Sequence, residues 1–228
     1  MEFVEIKHSE KARHLRMQAG ADRIIKVVVP RGMPRWKVEG FIKQNQDWID
    51  KHMARIKMQE VRHPKHRYEA GEVFYYLGEP YALSFPASRA THPLVKMQGQ
   101  ELQVLCGRSL GMGEIRSALE SFFKKKAEGV IHDRLEHFNA FYGFPFARVT
   151  FRNQKSRWGS CSRRRNLNFN WRLVMAPIEV LDYVVVHELC HLKEMNHSSR
   201  FWALVAHQVE DSKAFRKWLH ANKFMLDI

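Results

Sequence analysis

The stretch Val184-Val185-Val186-His187-Glu188-Leu189-Cys190-His191-Leu192 orders the reading of the rest of the chain. His187 and His191 are four residues apart, so on a helix they project from one face, a turn apart. Two imidazoles placed in this way can hold one Zn²⁺, and Glu188 can reach a water on that metal. Zinc lowers the pKa of such a water to about 7, and a neighbouring carboxylate can take its remaining proton. Three valines before the motif and the uncharged Leu189-Cys190 inside it suit a buried helix whose polar groups face a metal. A chain with 13 His can also place two at this spacing by chance, with Glu188 an ordinary helix former. The apolar flanks weigh against that.

A catalytic zinc takes three protein ligands and keeps a fourth position open. His197 is the favoured third ligand. On an unbroken helix it would lie about 9 Å beyond His191 along the axis, so the helix has to end after His191. Lys193-Glu194-Met195-Asn196 supplies the break, with Asn196 tolerant of a left-handed conformation. Glu210, presented by a following helix, is the rival ligand.

Working outward, Pro177 fits the first turn of the helix that carries the motif. Before it, Trp158 to Cys161 and Leu167 to Val174 read as two strands around a polar turn at 163–166. Leu167, Phe169, Trp171 and Leu173 alternate, so one face of the second strand is buried. After the motif, Ser198 can cap a helix carrying Phe201, Trp202, Leu204, Val205 and Val209. A last amphipathic helix runs over 212–224. Upstream, Arg148 to Phe151 is a strand, and a long helix spans about 114–141. Ile115, Leu119, Phe122, Val130, Leu135 and Phe138 are available for its buried face.

The first 110 residues read as a mostly β module with one helix. Phe3 to Ile6, His14 to Met17 and Arg23 to Val29 are strands, the last two joined through a turn at Ala19-Gly20-Ala21-Asp22. Trp36, Phe41, Ile42, Ile49, Met53 and Ile56 form a helical stripe over 35–58, with Trp48 at its edge. Arg62-His63-Pro64-Lys65-His66 is a polar connector. A hairpin turns at Gly78-Glu79-Pro80, and another at Gln98-Gly99-Gln100-Glu101. The glycines of 107–113 mark the best boundary, which predicts domains 1–110 and 111–228.

The 228 residues are 45% hydrophobic and 12% aromatic, enough for a substantial core and unlike a disordered chain. No apolar run has spanning length, the start lacks a signal-peptide core, and three cysteines form no disulfide framework. A cytoplasmic protein without a membrane or disulfide partner is expected. The net charge of +14 makes nucleic acid or an acidic substrate a candidate partner. Arg163-Arg164-Arg165 and Lys124-Lys125-Lys126 are its densest runs, although such runs are more often a solvated turn and a solvated helix face.

Ser156-Arg157-Trp158-Gly159-Ser160-Cys161, Asn170-Trp171-Arg172-Leu173, Asp182 to Leu192, and Asn196-His197-Ser198 with Phe201-Trp202 resemble the YgjP-like metallopeptidase family. The match is strongest over about 150–205. The resemblance implies zinc on His187, His191 and His197, with Glu188 as general base. It also implies an α+β fold, in which the N-terminal β-rich module precedes a zincin-like metallopeptidase domain. More weakly it extends to the WLM and SprT-like peptidases, some of which degrade proteins crosslinked to DNA. The His187, Glu188, His191, His197 spacing is also that of the metzincins, but their turn glycine is Glu194 here and no Met-turn is evident.

Around the motif, Asp182, Asn170 and Ser160 are candidates to accept the second N–H of a ligand histidine. Tyr183 can assist an oxyanion or simply pack in the core. Arg157 and Arg172 can bind a substrate carbonyl or carboxylate, or pair with surface acids, and Cys190 reads as a small buried residue. The strand bearing Trp158, Gly159 and Ser160 can pair with an extended substrate. Two functions follow. The favoured one is a zinc hydrolase of peptide bonds. The other is a nucleic-acid-associated protein, contacting DNA or RNA through Arg163, Arg164 and Arg165, with a non-catalytic zinc or DNA-dependent proteolysis.

Overall fold

The computed structural model describes residues 4–19, 24–62, 66–154 and 156–228. The expected turn at Gly20-Ala21-Asp22, the residue Phe3 and the connector core His63-Pro64-Lys65 lie outside them, as does the side chain of Ile56. The fold is α+β, with six α-helices and three small sheets among the described residues. Two compact units divide it, residues 1–65 and 66–228.

In the first unit, β1 (Val4–Ser9) runs parallel to β3 (Ile25–Pro30), and β2 (Arg16–Ala19) pairs antiparallel on its other side. Val27, Val29 and Val38 form a small core, packed by Val4, Leu15, Met17, Met33, Phe41 and Ile42. The helix expected over 35–58 is two helices, α1 (Arg35–Gln44) and α2 (Gln46–Arg62). Asn45 breaks it: its side-chain amide donates to the Phe41 carbonyl at 2.8 Å, and its backbone sits at φ −108°, ψ 21°. A short amide side chain that bonds its own backbone competes with helix propagation. Trp36, expected in the buried stripe, is 69% exposed, and Val38 is the buried residue of α1.

In the second unit, β4 (Val73–Tyr76), β5 (Glu79–Ser84), β6 (Leu94–Gln98) and β7 (Glu101–Leu105) form a sheet of order β4-β5-β7-β6. The first hairpin turns one residue earlier than expected, on Leu77 and Gly78 at φ 50° and 86°, so Glu79 and Pro80 open β5. Two left-handed residues are what a tight two-residue hairpin requires. The long helix α3 (Met112–Tyr142) buries Ile115, Leu119, Phe123, Ala127, Ile131, Leu135 and Phe138, one face at spacings of four and three. Phe122 and Val130, expected on that face, flank it half-buried.

The third sheet has the order β8-β10-β9, from β8 (Arg148–Arg152), β9 (Gly159–Cys161) and β10 (Asn166–Asn170). The strand expected to reach Val174 ends at Asn170. There the Asn170 side chain accepts from Arg172 N at 3.1 Å and donates to the Gln154 carbonyl at 2.8 Å. The chain tightens into a 3₁₀ turn over Trp171–Met175, which stays buried. Leu77 N and Gly78 N donate to the Val174 and Met175 carbonyls of that turn, at 2.7 and 3.4 Å. Pro177 stands at the N-cap of α4 (Ile178–Cys190), followed by α5 (Ser199–Ala206) and α6 (Ser212–Ala221). Phe74, Leu83, Val95, Leu102 and Val104 of the four-stranded sheet belong to the same core as α3, β10 and α4. The boundary expected at 110/111 therefore falls inside this unit, because both sides of it bury their apolar faces together.

Candidate metal and catalytic site

Helix α4 is apolar nearly all round, with Val180, Leu181, Val184, Val185, Val186, Leu189 and Cys190 buried. Its polar side chains near the C-terminus are thereby held in place within the core. His191 is the C-cap. Leu192 N and Lys193 N then donate to the carbonyls three residues back, Leu189 and Cys190, at 2.9 and 3.1 Å, so the last turn tightens and the helix ends. The left-handed residue anticipated at Asn196 does not occur. Tyr68, Leu77 and Arg165 are the non-glycine residues with positive φ among the described residues, and the turn is made by these carbonyl contacts instead.

Ser198 then caps α5, its hydroxyl accepting from Phe201 N at 3.4 Å. This reversal carries His197 back toward α4. One ring nitrogen from each of His187, His191 and His197 lies within 4.8 Å of the others. His187 Nε2 and His197 Nε2 are 3.0 Å apart. Phe201 lies against all three rings, its centroid 4.9, 4.5 and 4.8 Å from those of His187, His191 and His197. Glu210 is exposed beyond the end of α5 and outside this group.

Burial pushes the His187 imidazole down to about 3, reinforced by His191, His197 and Arg216. Burial also lowers His191, with His197 acting in the same direction and the Glu194 carbonyl against it. His191 Nδ1 lies 3.0 Å from that carbonyl, which leaves Nε2 free of it. A metal requires neutral imidazole of its histidine ligands, and a set of three histidines suits zinc and other borderline transition metals. Glu188 is 4% exposed, and burial raises its carboxyl to about 8 while Arg157 pulls the other way. Its Oε2 is buried without a partner among the described residues. An orphaned buried acceptor of this kind is costly unless a bound group completes it, so the donor set and its neighbour fit a metal-dependent hydrolase site.

Gly159 of β9 sits directly on Glu188. A Cβ there would lie 2.5 Å from Oε1, 2.7 Å from Cγ and 2.9 Å from Cδ. Trp158 and Ser160 flank it, both half-buried. Tyr183 is 5% exposed, packs edge-on against His187 at 5.7 Å and stacks on Phe215 at 6.2 Å. Tyr183 thus packs in the core beside His187.

The anticipated partners of the candidate ligand histidines are engaged elsewhere. Asp182 holds Arg134 through two hydrogen bonds of 2.6 and 2.8 Å. Asn170 caps the 3₁₀ turn, and the Ser160 hydroxyl accepts from Asn168 at 3.3 Å. Arg172 is tied to Asp227 at 2.9 Å and to Asn153. Cys190 is buried, which raises its thiol to about 11. Arg163, Arg164 and Arg165 are exposed on the β9–β10 turn. The close approach of Gly159 to Glu188, the floor made by Phe201, and Arg216 escaped the sequence reading. Each is a contact between distant segments, for which local spacing carries no signal.

A sequence model of the family described as "YgjP-like, metallopeptidase domain" matches residues 13–222. No curated protein matches the chain. A solved structure, described as "Crystal structure of the metallopeptidase zymogen of Pyrococcus abyssi abylysin", is similar at 26% identity, over 40% of this chain and 92% of that one, with a TM-score of 0.37.

Proposed function

The chain belongs to the YgjP-like metallopeptidase family, and on that premise we propose that it hydrolyses peptide bonds with one zinc ion held by His187, His191 and His197. The observation that carries this reading is the convergence of three ring nitrogens within 4.8 Å, beside a buried carboxyl. When bound, the ion supplies Lewis acidity to a carbonyl and to water. Glu188 is the general base: buried beside the three histidines, its carboxylate would take a proton from water and return it to the leaving amine. Gly159 lets β9 approach Glu188 without a side chain between them. β9 is an edge strand of its sheet, so Trp158, Gly159 and Ser160 can align an extended peptide by strand addition. Tyr183 supports this arrangement by packing on His187.

The test combines metal content with hydrolysis. The purified protein should hold about one zinc per chain, lose it in His197→Ala and keep it in Glu210→Ala. Glu188→Gln should keep both zinc and fold, yet hydrolyse a mixture of unfolded proteins roughly 10² to 10⁴ times more slowly. A Glu188→Gln variant with zinc and full activity would sink the mechanism.

The shared exposure of Arg163, Arg164 and Arg165, on a chain of net charge +14, supports a second reading in which the protein also binds DNA or RNA. Neutralising all three should weaken binding and flatten its salt slope by up to ~3 phosphate contacts. Binding unchanged by that substitution would return the run to a solvated turn. Cys106, Cys161 and Cys190 are free, which supports a reducing, cytoplasmic setting. No helix among the described residues is long and apolar enough to cross a membrane.

A further inference from the structure

Three imidazoles are neutral donors, so they leave the charge of a divalent ion uncompensated. No carboxylate joins their group among the described residues. Two guanidiniums add to this positive centre. Arg157 lies two residues before Gly159 and acts on the Glu188 carboxyl. Arg216, exposed on α6, has its Cζ 5.9 Å from the Trp202 ring centroid. Trp202 in turn stacks on His197 at 5.7 Å and 27°, and lies 6.0 Å from His187. Phe215, the preceding residue, is fixed against Tyr183 of α4, so this part of α6 is held beside the histidines. Arg134 and Arg172 have carboxylate partners, whereas Arg157 and Arg216 have none among the described residues.

We propose that Arg216 binds a substrate carboxylate, so that the site prefers peptides with a free C-terminus or an Asp or Glu side chain beside the scissile bond. The assignment rests on the peptidase reading above and names its substrate class. A guanidinium placed over an aromatic ring keeps a fork of N–H donors that matches a carboxylate. A strongly basic protein also draws such substrates toward the site.

The test is calorimetric titration of the metal-free, full-length protein with two matched peptide pairs at low salt. One pair differs only in a C-terminal carboxylate against an amide, the other only in an internal Asp against Asn. The acidic member of at least one pair should bind about 10- to 100-fold more tightly, and the pair that discriminates identifies the source of the carboxylate. Discrimination should shrink at high salt, vanish in Arg216→Gln, persist in part in Arg216→Lys and be unaffected in Arg89→Gln, at an exposed arginine. In the zinc-loaded protein, Arg216→Gln should raise KM for the acidic peptide more than it lowers kcat. Equal affinities within both pairs, no peptide binding at all, or discrimination that survives Arg216→Gln would overturn the proposal. Discriminating binding with no hydrolysis by the loaded protein removes the peptidase reading and leaves the carboxylate site standing.

Discussion

Gly159 and Glu188 make the tightest residue-level constraint of the site. An added Cβ would fall 2.5 Å from the carboxylate oxygen and 2.7 Å from Cγ, so the whole side chain would have to move within a core where it is 4% exposed. Gly159→Ala should therefore cost about 1–3 kcal/mol of stability through overpacking. It should also displace the proposed base and lower kcat more than tenfold, with zinc content unchanged because no histidine is touched. Thermal unfolding, metal analysis and steady-state kinetics check the three parts separately. Zinc lost along with activity would mean that Gly159 supports the histidines rather than the base. The helix bearing His187 and His191 was legible in the sequence because its signal is local, a pair at four-residue spacing inside an apolar run. The Gly159 contact was not, since a glycine in a short strand names no neighbour across the fold.

At the scale of elements, the reversal between α4 and α5 determines where His197 sits. Ser198→Ala removes the cap on α5 and should cost about 1 kcal/mol. If all of that cost falls on the geometry of His197, zinc affinity weakens by roughly fivefold, readable by competition with a chelator. Undiminished affinity would place the hold on His197 in the Phe201 contact instead. The hairpin of β4 and β5 is a second such joint. Gly78 sits at φ 86°, and a Cβ there would lie 3.0 Å from Pro177 Cα, at the start of α4. Gly78→Ala should destabilise by about 1–3 kcal/mol, seen as a lower Tm. Helix periodicity and strand alternation located these elements well, but their ends less so. Asn45 and Asn170 each bond to nearby backbone and end an element that apolar pattern alone would have continued.

For the whole molecule, the core of the four-stranded sheet is the core of α3 and α4. A fragment of residues 66–228 should fold cooperatively and bind zinc, as followed by circular dichroism and metal content. A fragment of residues 111–228 should do neither, because it lacks Phe74, Leu83, Val95, Leu102 and Val104. Burial of such side chains contributes about 1.5–3 kcal/mol each, which together is comparable to the whole net stability of a domain. A zinc-binding, cooperatively folded 111–228 fragment would restore the boundary at 110/111. Glycine-rich composition suggests that boundary because it registers chain flexibility, whereas the shared core registers which faces are buried together.

The three histidines sit within one short, contiguous piece of chain, His187 and His197 being 10 residues apart. Closing so small a ring sacrifices little chain entropy, while bringing β9 onto Glu188 requires the sheet to be assembled. Capture of the ion and competence for hydrolysis are therefore separable events along the folding coordinate. In a urea series, hydrolysis should fade at a lower concentration than the one that releases zinc, with a window in which the protein is inert but still loaded. Coincident loss of the two would tie both to a single all-or-none transition.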